Sequence, residues 1–307
     1  MRKIKGWIYI LLILDILCGA CNSPTPTDPD HSVIKGNIEY PSARMIYLFS
    51  FADSNAKYSG IRTPIDSAII DKHGDYVFSF KLKECSVCDL RIGEKMVEPN
   101  LFLCKGETLT INFTEKENKP LITGDDITAK QNNYLQKFLQ KFYSDPEVKQ
   151  FYYISSNYLP VTEYSAYMEK RRNEQKTFYD EFFRSNKPEK EFADYATSEI
   201  EYQNAADKLM CVWKKRMKGE DATQDSTYDR LSDRSFLENS RAVKSPAYFH
   251  FLTLYVSDIY ERLLAERKIP KNATDRLDPL YEKRNIASEY LNGIARDIVL
   301  RNLNHRN

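Results

Sequence analysis

Six cysteines carry most of the chemistry that this chain of 307 residues could perform, and their spacing separates them into distinct roles. Cys85-Ser86-Val87-Cys88 holds two thiols at the Cys-x-x-Cys spacing of thiol–disulfide exchange, in which one thiolate attacks a disulfide and its neighbour resolves the mixed intermediate. Cys18-Gly19-Ala20-Cys21 closes an apolar run from Trp7 to Leu17 that follows Arg2, Lys3 and Lys5. A basic stretch, a short apolar stretch and small residues before a cysteine are the marks of an export signal, and they make the Cys21 thiol the expected site of lipid attachment. Cys104 falls in an apolar, strand-like run and Cys211 on the apolar side of a helical stripe, positions that suit small buried hydrophobes.

What Cys85 and Cys88 do depends on the elements that hold them. An active dithiol needs a strand before it and a helix after it, so that the helix N-terminus stabilises the attacking thiolate. Here Asp89-Leu90-Arg91-Ile92-Gly93-Glu94-Lys95 follows, which reads as strand and turn. Glu84 and Asp89 would raise the thiol pKa values, partly opposed by Lys81 and Lys83. If residues 85–88 are extended, their Cα atoms lie roughly 10 Å apart and cannot be bridged, whereas a tight turn brings them under about 7 Å. A structural turn or hairpin is the favoured reading, then a labile redox pair, then half of a metal site. Metal is the poorest of the three, because a second Cys-x-x-Cys is missing and His31, His73, His250 and His305 lack ligand spacing. An oxidising compartment would also permit Cys104 to pair with Cys85 or Cys88. A Gly-x-Ser-x-Gly elbow, a Gly-rich phosphate loop and a His-Glu-x-x-His are all missing, so no catalytic residue, metal or cofactor is assigned.

The surrounding sequence divides the chain into residues 1–20 as signal peptide, 21–31 as tether, 32–124 as a β-rich domain and 125–307 as a helical domain. The run from Trp7 to Leu17 contains Asp15 and is too short to cross a bilayer core, which favours cleavage over a transmembrane anchor. Three prolines and small polar residues between Asn22 and Asp30 form an extended tether. Removing residues 1–20 takes away three basic residues and one acidic residue, moving the net charge from +1 to −1, so there is no electrostatic case for nucleic acid. The 21 Tyr and 16 Phe fall mostly at strand or helix spacings and read as core rather than as a binding platform.

Strands are expected over 33–38, 45–51, 67–70, 76–83, 101–104 and 108–113. The clearest follows the turn Asp71-Lys72-His73-Gly74-Asp75, because Tyr76, Phe78, Phe80 and Leu82 alternate with smaller or charged residues. From Asp125 the period becomes helical: Leu135, Phe138, Leu139 and Phe142 form one stripe, and Tyr202, Ala206, Leu209, Met210 and Trp213 another on a segment opened by Pro188. Ser245-Pro246 opens a helix apolar around much of its circumference through Leu264. A last helix is expected from Pro279 to Leu303, with Ala287, Leu291, Ile294 and Ile298 as its stripe. The fold class is therefore α+β: an antiparallel β-sandwich-like domain followed by an irregular bundle of five or six helices.

An acylated cysteine, a short tether, a β-rich stretch containing Gly74-Asp-Tyr-Val-Phe-Ser-Phe80 and Asn100-Leu-Phe-Leu-Cys-Lys-Gly-Glu-Thr-Leu-Thr-Ile111, and helices ending in Tyr290-Leu-Asn-Gly-Ile-Ala-Arg-Asp297 together resemble the TlpA-like thiol:disulfide interchange lipoproteins. In that family such regions precede a carboxy-terminal thioredoxin-fold domain with a Trp-Cys-x-x-Cys active site, and this sequence ends where that domain would begin. The resemblance implies a lipid-anchored protein of the cell envelope, facing the periplasm from the outer membrane, with an envelope protein as partner. The expected role is a non-catalytic scaffold or binding module. The alternative is a thiol:disulfide oxidoreductase acting through Cys85 and Cys88, or truncated before its thioredoxin domain.

Overall fold

The computed structural model describes residues 30–51, 61–114, 120–124, 126–220, 231, 233–266 and 279–304. The signal segment, Cys21, nearly all of the tether and His305 lie outside them. Eight strands come first: β1 (His31–Asn37), β2 (Met45–Ser50), β3 (Thr63–Ile69), β4 (Asp75–Lys81), β5 (Ser86–Ile92), β6 (Lys95–Leu103), β7 (Thr108–Phe113) and β8 (Pro120–Thr123). They form two four-stranded sheets, ordered β4-β1-β7-β8 and β3-β2-β5-β6. All pairings are antiparallel except β1 with β7, which run parallel with Val33 opposite Thr108.

Alternation builds the core. Tyr76, Phe78 and Phe80 of β4 are buried while Asp75, Val77, Ser79 and Lys81 face outward. With Ile34, Leu109 and Ile111 they pack against Ile46, Leu48, Cys88, Leu90 and Leu101 of the other sheet, so the expected sandwich is present. Gly36 of β1 leaves room for β7, since a Cβ there would come within 1.7 Å of the Ile111 carbonyl oxygen. That carbonyl accepts a 2.8 Å hydrogen bond from the Tyr76 hydroxyl.

The second sheet is buried on both faces along β5. Cys88 and Leu90 of β5 point into the sandwich, while Val87 of β5 and Phe102 of β6 pack under helices. The helices are α1 (Ile127–Leu139), α2 (Pro146–Tyr158), α3 (Val161–Phe182), α4 (Lys190–Met217), α5 (Arg234–Leu237), α6 (Pro246–Ala265), α7 (Pro279–Tyr290) and α8 (Gly293–Asn304). A π-helical turn, Gln140–Ser144, extends α1. Arg171 of α3 donates to the Phe142 carbonyl oxygen within that turn. Among the described residues no helix is long and apolar enough to cross a membrane.

Helix starts follow the sequence closely. Asp126 accepts from the Ala129 N–H at the head of α1, and Ser245 accepts from the Tyr248 N–H at the head of α6 with Pro246 in the first turn. The single helix expected from Pro279 to Leu303 is instead two. Gly293 has φ +50, outside helical geometry, and the break re-registers the chain so that Ala295 and Val299 are buried while Ile294 is exposed. The strand β8 was not anticipated, and eight helices among the described residues exceed the five or six expected.

Sandwich and helices are joined at the open edge of β6. Outward-facing backbone groups on an edge strand need partners, and α1 supplies them through one side chain. The Asn132 amide accepts from the Phe102 N–H at 2.7 Å and donates to the Phe102 carbonyl at 2.9 Å, and its amide nitrogen also reaches the Thr128 carbonyl at 2.9 Å. Asn132 is fully buried. Replacing it with alanine leaves a buried donor and a buried acceptor unpaired, at about 1–3 kcal/mol each. Asn132→Ala should therefore lower the urea midpoint by the equivalent of about 2–4 kcal/mol, and Asn132→Asp should not rescue it because a carboxylate cannot donate to Phe102. A loss below about 0.5 kcal/mol for either variant would show that the edge does not depend on this residue.

Candidate functional site

The hairpin of β5 and β6 decides the fate of the cysteines. Ser86 stands opposite Leu103 in the antiparallel register, so the residues one step outward, Cys85 and Cys104, face each other with Cα atoms 4.0 Å apart and are joined as a disulfide. The bend expected at 85–88 lies earlier, at Lys83 and Glu84, and Ser86 already opens β5. Residues 86–88 are therefore extended, which is the arrangement in which Cys85 and Cys88 cannot bridge. Cys88 is a fully buried thiol within the sandwich core. Cys211, on α4, is likewise buried, and desolvation pushes its thiol pKa up, toward the unreactive form. The structure thus brings Cys85 to Cys104 and keeps Cys88 on the other face of the sheet.

A set of polar contacts surrounds the disulfide. Lys244, from the loop before α6, donates to the Cys85 carbonyl at 2.9 Å and pairs with Glu84 at 3.0 Å. Ser32 of β1 donates to the Cys104 carbonyl at 2.9 Å and accepts from the Gly106 N–H at 3.2 Å. Glu107 accepts from the Cys104 N–H and from the Thr128 hydroxyl, tying the turn between β6 and β7 to the first turn of α1. Burial holds the Glu107 carboxyl above its ordinary range, and the nearby Glu189 carboxylate adds to the shift. Cys104, Glu107 and Glu189 offer potential ligand atoms within 4.8 Å of one another. With the Cys104 sulfur committed to a disulfide, no thiolate is available to that group and two carboxylates remain.

Asp89, which the sequence places beside Cys88, alternates onto the helix-facing side. It is fully buried, pairs with Arg62 at 3.3 Å and accepts from the Asn100 N–H at 3.2 Å. Here the β5–β6 register shifts between Cys88 and Leu90, and Asn100 takes a left-handed φ of 48°. Next to this bulge lies a cavity of about 260 Å³ walled by aromatic side chains of α1, the π-helical turn and α4, among them Tyr134, Phe138, Tyr143 and Tyr195. Asn100, Glu199 and Gln203 also line it. Glu199 is engaged in capping α6: its carboxylate accepts from the Ser245 hydroxyl at 2.6 Å and from the Ala247 N–H at 3.1 Å. Arg171 lies over the Tyr143 ring, 4.9 Å from its centroid. Burial pushes the Tyr143 phenol up to about 12.

Sequence reasoning did not point to Asn132, Lys244, Glu107 or Tyr134. Asn132 and Phe102 are 30 residues apart, and Lys244 and Cys85 are 159 apart, so no local spacing signals either contact. A buried polar residue inside an apolar helical stripe, as Asn132 is, was the one legible hint.

Residues 32–132 match the family model described as Domain of unknown function (DUF4369), which covers about a third of the chain and takes in nearly all of the sandwich and the first turns of α1 as far as Asn132. No thioredoxin or TlpA family model matches. A search of curated proteins gave no match.

Two measurements follow from this geometry. The disulfide closes a loop with a sequence separation of 19 residues. Closure of that length contributes about 3 kcal/mol by restricting the unfolded chain. Reductant, or Cys85→Ser with Cys104→Ser, should lower the unfolding free energy by about that amount, and an unchanged denaturation midpoint would deny the crosslink a structural role. The raised Glu107 pKa means that the native state binds its proton more tightly than the unfolded chain does. Its stability contribution is then fully present below the ordinary carboxylate pKa and is lost as pH rises through the folded value. Glu107→Gln should therefore gain on the wild type in urea denaturation as pH rises above the ordinary carboxylate range. A gap that stays constant with pH would contradict the shift.

Proposed function

We propose that this chain is a lipid-anchored accessory or binding module of the cell envelope, facing the periplasm, which holds a partner rather than turning over thiols. The observation that carries the reading is the fate of the sulfurs. Cys85 and Cys104 are spent in a crosslink between strand ends, and Cys88 and Cys211 are buried, so the described residues offer no exposed dithiol. A structural disulfide of this kind belongs in an oxidising compartment, which agrees with the export signal and lipid-attachment cysteine read at Cys21. The relationship to TlpA-like lipoproteins rests on the order of signal, tether, strands and helices. The proposed anchor is the acyl chain on Cys21, in the outer membrane, and the proposed partner is another envelope protein. The reading takes no cofactor, and the net charge of −1 after cleavage gives nucleic acid no hold.

Expression of the full chain in a bacterial host fed labelled palmitate should put label on the wild type and not on Cys21→Ser, with the variant leaving the membrane fraction. Label retained by Cys21→Ser would remove the anchor. The same purified proteins should show no insulin reduction. Turnover that disappears in Cys85→Ser or Cys88→Ser would replace this reading with that of a thiol:disulfide oxidoreductase.

A further inference from the structure

A bare strand edge is a template for another strand, and proteins blunt such edges with short strands, prolines, bulges, inward-pointing charges or a covering element. Most edge strands of this sandwich are treated in that way. Asn132 covers β6, β8 is a four-residue strand that opens on Pro120, and β3 carries Pro64 and a shift in its register with β2. Strand β4, at the end of the other sheet, has none of these devices. Its seven residues pair with β1 in unbroken register, from Asp75 opposite Asn37 to Lys81 opposite His31, and its inward side chains are Tyr76, Phe78 and Phe80.

The backbone groups that β4 offers can be named. The Gly74 carbonyl accepts from the Ile38 N–H at 2.9 Å, so alternation turns the groups of Tyr76 and Phe78 toward β1 and those of Val77 and Ser79 outward. Asp75 follows the same parity. Its N–H donates to the Asp71 carboxylate at 2.9 Å and its carbonyl accepts from the Asp71 N–H at 3.0 Å, both within the turn and neither to β1. Among the described residues no strand pairs with this outer edge, and Val77 beside it is 60 % exposed.

We infer that β4 pairs antiparallel with β4 of a second copy of this chain, about a two-fold axis at Phe78, so that two four-stranded sheets become one. The strand is complementary to itself in that register. Val77 and Ser79 exchange backbone hydrogen bonds with Ser79 and Val77 of the second copy, and exposed Asp75 at one end stands opposite exposed Lys81 at the other, twice by symmetry. The Asp75 carboxylate gives one oxygen to the Asn37 amide at 2.8 Å and keeps the other for this contact. Each Val77 lies diagonal to its counterpart, which takes both from water. The core aromatics stay where they are, so nothing has to unfold. The chain's tether is a poorer occupant, because three prolines between Asn22 and Asp30 remove the donors that a strand needs.

The test is sedimentation equilibrium over a range of concentrations, on the chain from residue 21 with Cys21→Ser. A pairing of this size falls below the roughly 1,200 Å² of stable interfaces, so a weak, reversible monomer–dimer equilibrium is expected. Lys81→Glu and Asp75→Lys should each weaken the dimer about ten-fold, because each sets like charges opposite one another at both ends, and the double exchange should restore it. Val77→Pro should abolish it. The Val77 N–H points away from β1, which is where an edge strand tolerates proline, and if that variant fails to fold the charge variants, which alter only exposed side chains, carry the test. Hydrogen exchange at the Val77 and Ser79 amides should slow as concentration rises. A monomer at every concentration up to the solubility limit, a dimer indifferent to a folded Val77→Pro, or losses that the double exchange does not repair would each overturn the inference. Slow exchange of both amides in the dilute monomer would overturn it too, by showing that the chain covers this edge itself.

Discussion

The rest of the structure depends on how the open edge of β6 is closed. A four-stranded sheet ordered β3-β2-β5-β6 must present the outward backbone groups of β6 to something, and burying them under helices without partners would cost several kcal/mol. Asn132 answers this by acting as one residue of an absent neighbouring strand, accepting from and donating to the same residue, Phe102. That contact sets the height of α1 over the sheet. Phe102 can then stack on Tyr195, with ring centroids 5.0 Å apart, and meet Phe192 edge-on at 5.4 Å, so α4 is positioned by the same residue.

From there α4 carries order outward. Its 28 residues span roughly 42 Å and serve two cores in succession. Phe192, Tyr195, Ala196 and Ile200 belong to the cluster against the sheet, whereas Tyr202, Ala205, Ala206, Leu209 and Val212 belong to the cluster shared with α6, α7 and α8. A helix engaged at both ends cannot tilt independently in either cluster. The aromatic cavity lies along its sheet-side half, bounded by parts that Asn132 and Phe102 have already fixed, and so it has rigid walls rather than a hinge.

The legible parts of the fold were those whose physics is local. Strand β4 could be read because alternation is a two-residue signal, and the start of α6 because Ser245 and Pro246 act within one turn. The break at Gly293 was missed because its apolar stripe continues across the break, and one glycine in a helical pattern is weak evidence against that stripe. The parallel pairing of β1 with β7 was closed to sequence reading, and the pairing of Cys104 with Cys85 was only one of the alternatives it left open, for a common reason. Each is set by which strands become neighbours, and no spacing along the chain encodes that. The cavity was opaque for the same cause, since its walls are drawn from β6, α1, α4 and the head of α6.

The Cys-x-x-Cys spacing illustrates how a chemical signature can dissolve into architecture. Three residues apart in an extended strand, two thiols lie too far apart to bridge, and here one faces the sandwich core while the other sits at a strand end. The partner available to Cys85 is whatever the hairpin register sets across from it, and that is Cys104. Around this crosslink, Lys244 holds the loop before α6 to the start of β5, while Ser32 and Glu107 hold the turn after β6 to β1 and α1. These contacts meet where the two halves of the molecule touch. A sulfur in that position is worth more as a weld than as a reagent, because breaking it to do chemistry would loosen the edge strand that Asn132 and the aromatic cavity both rely on.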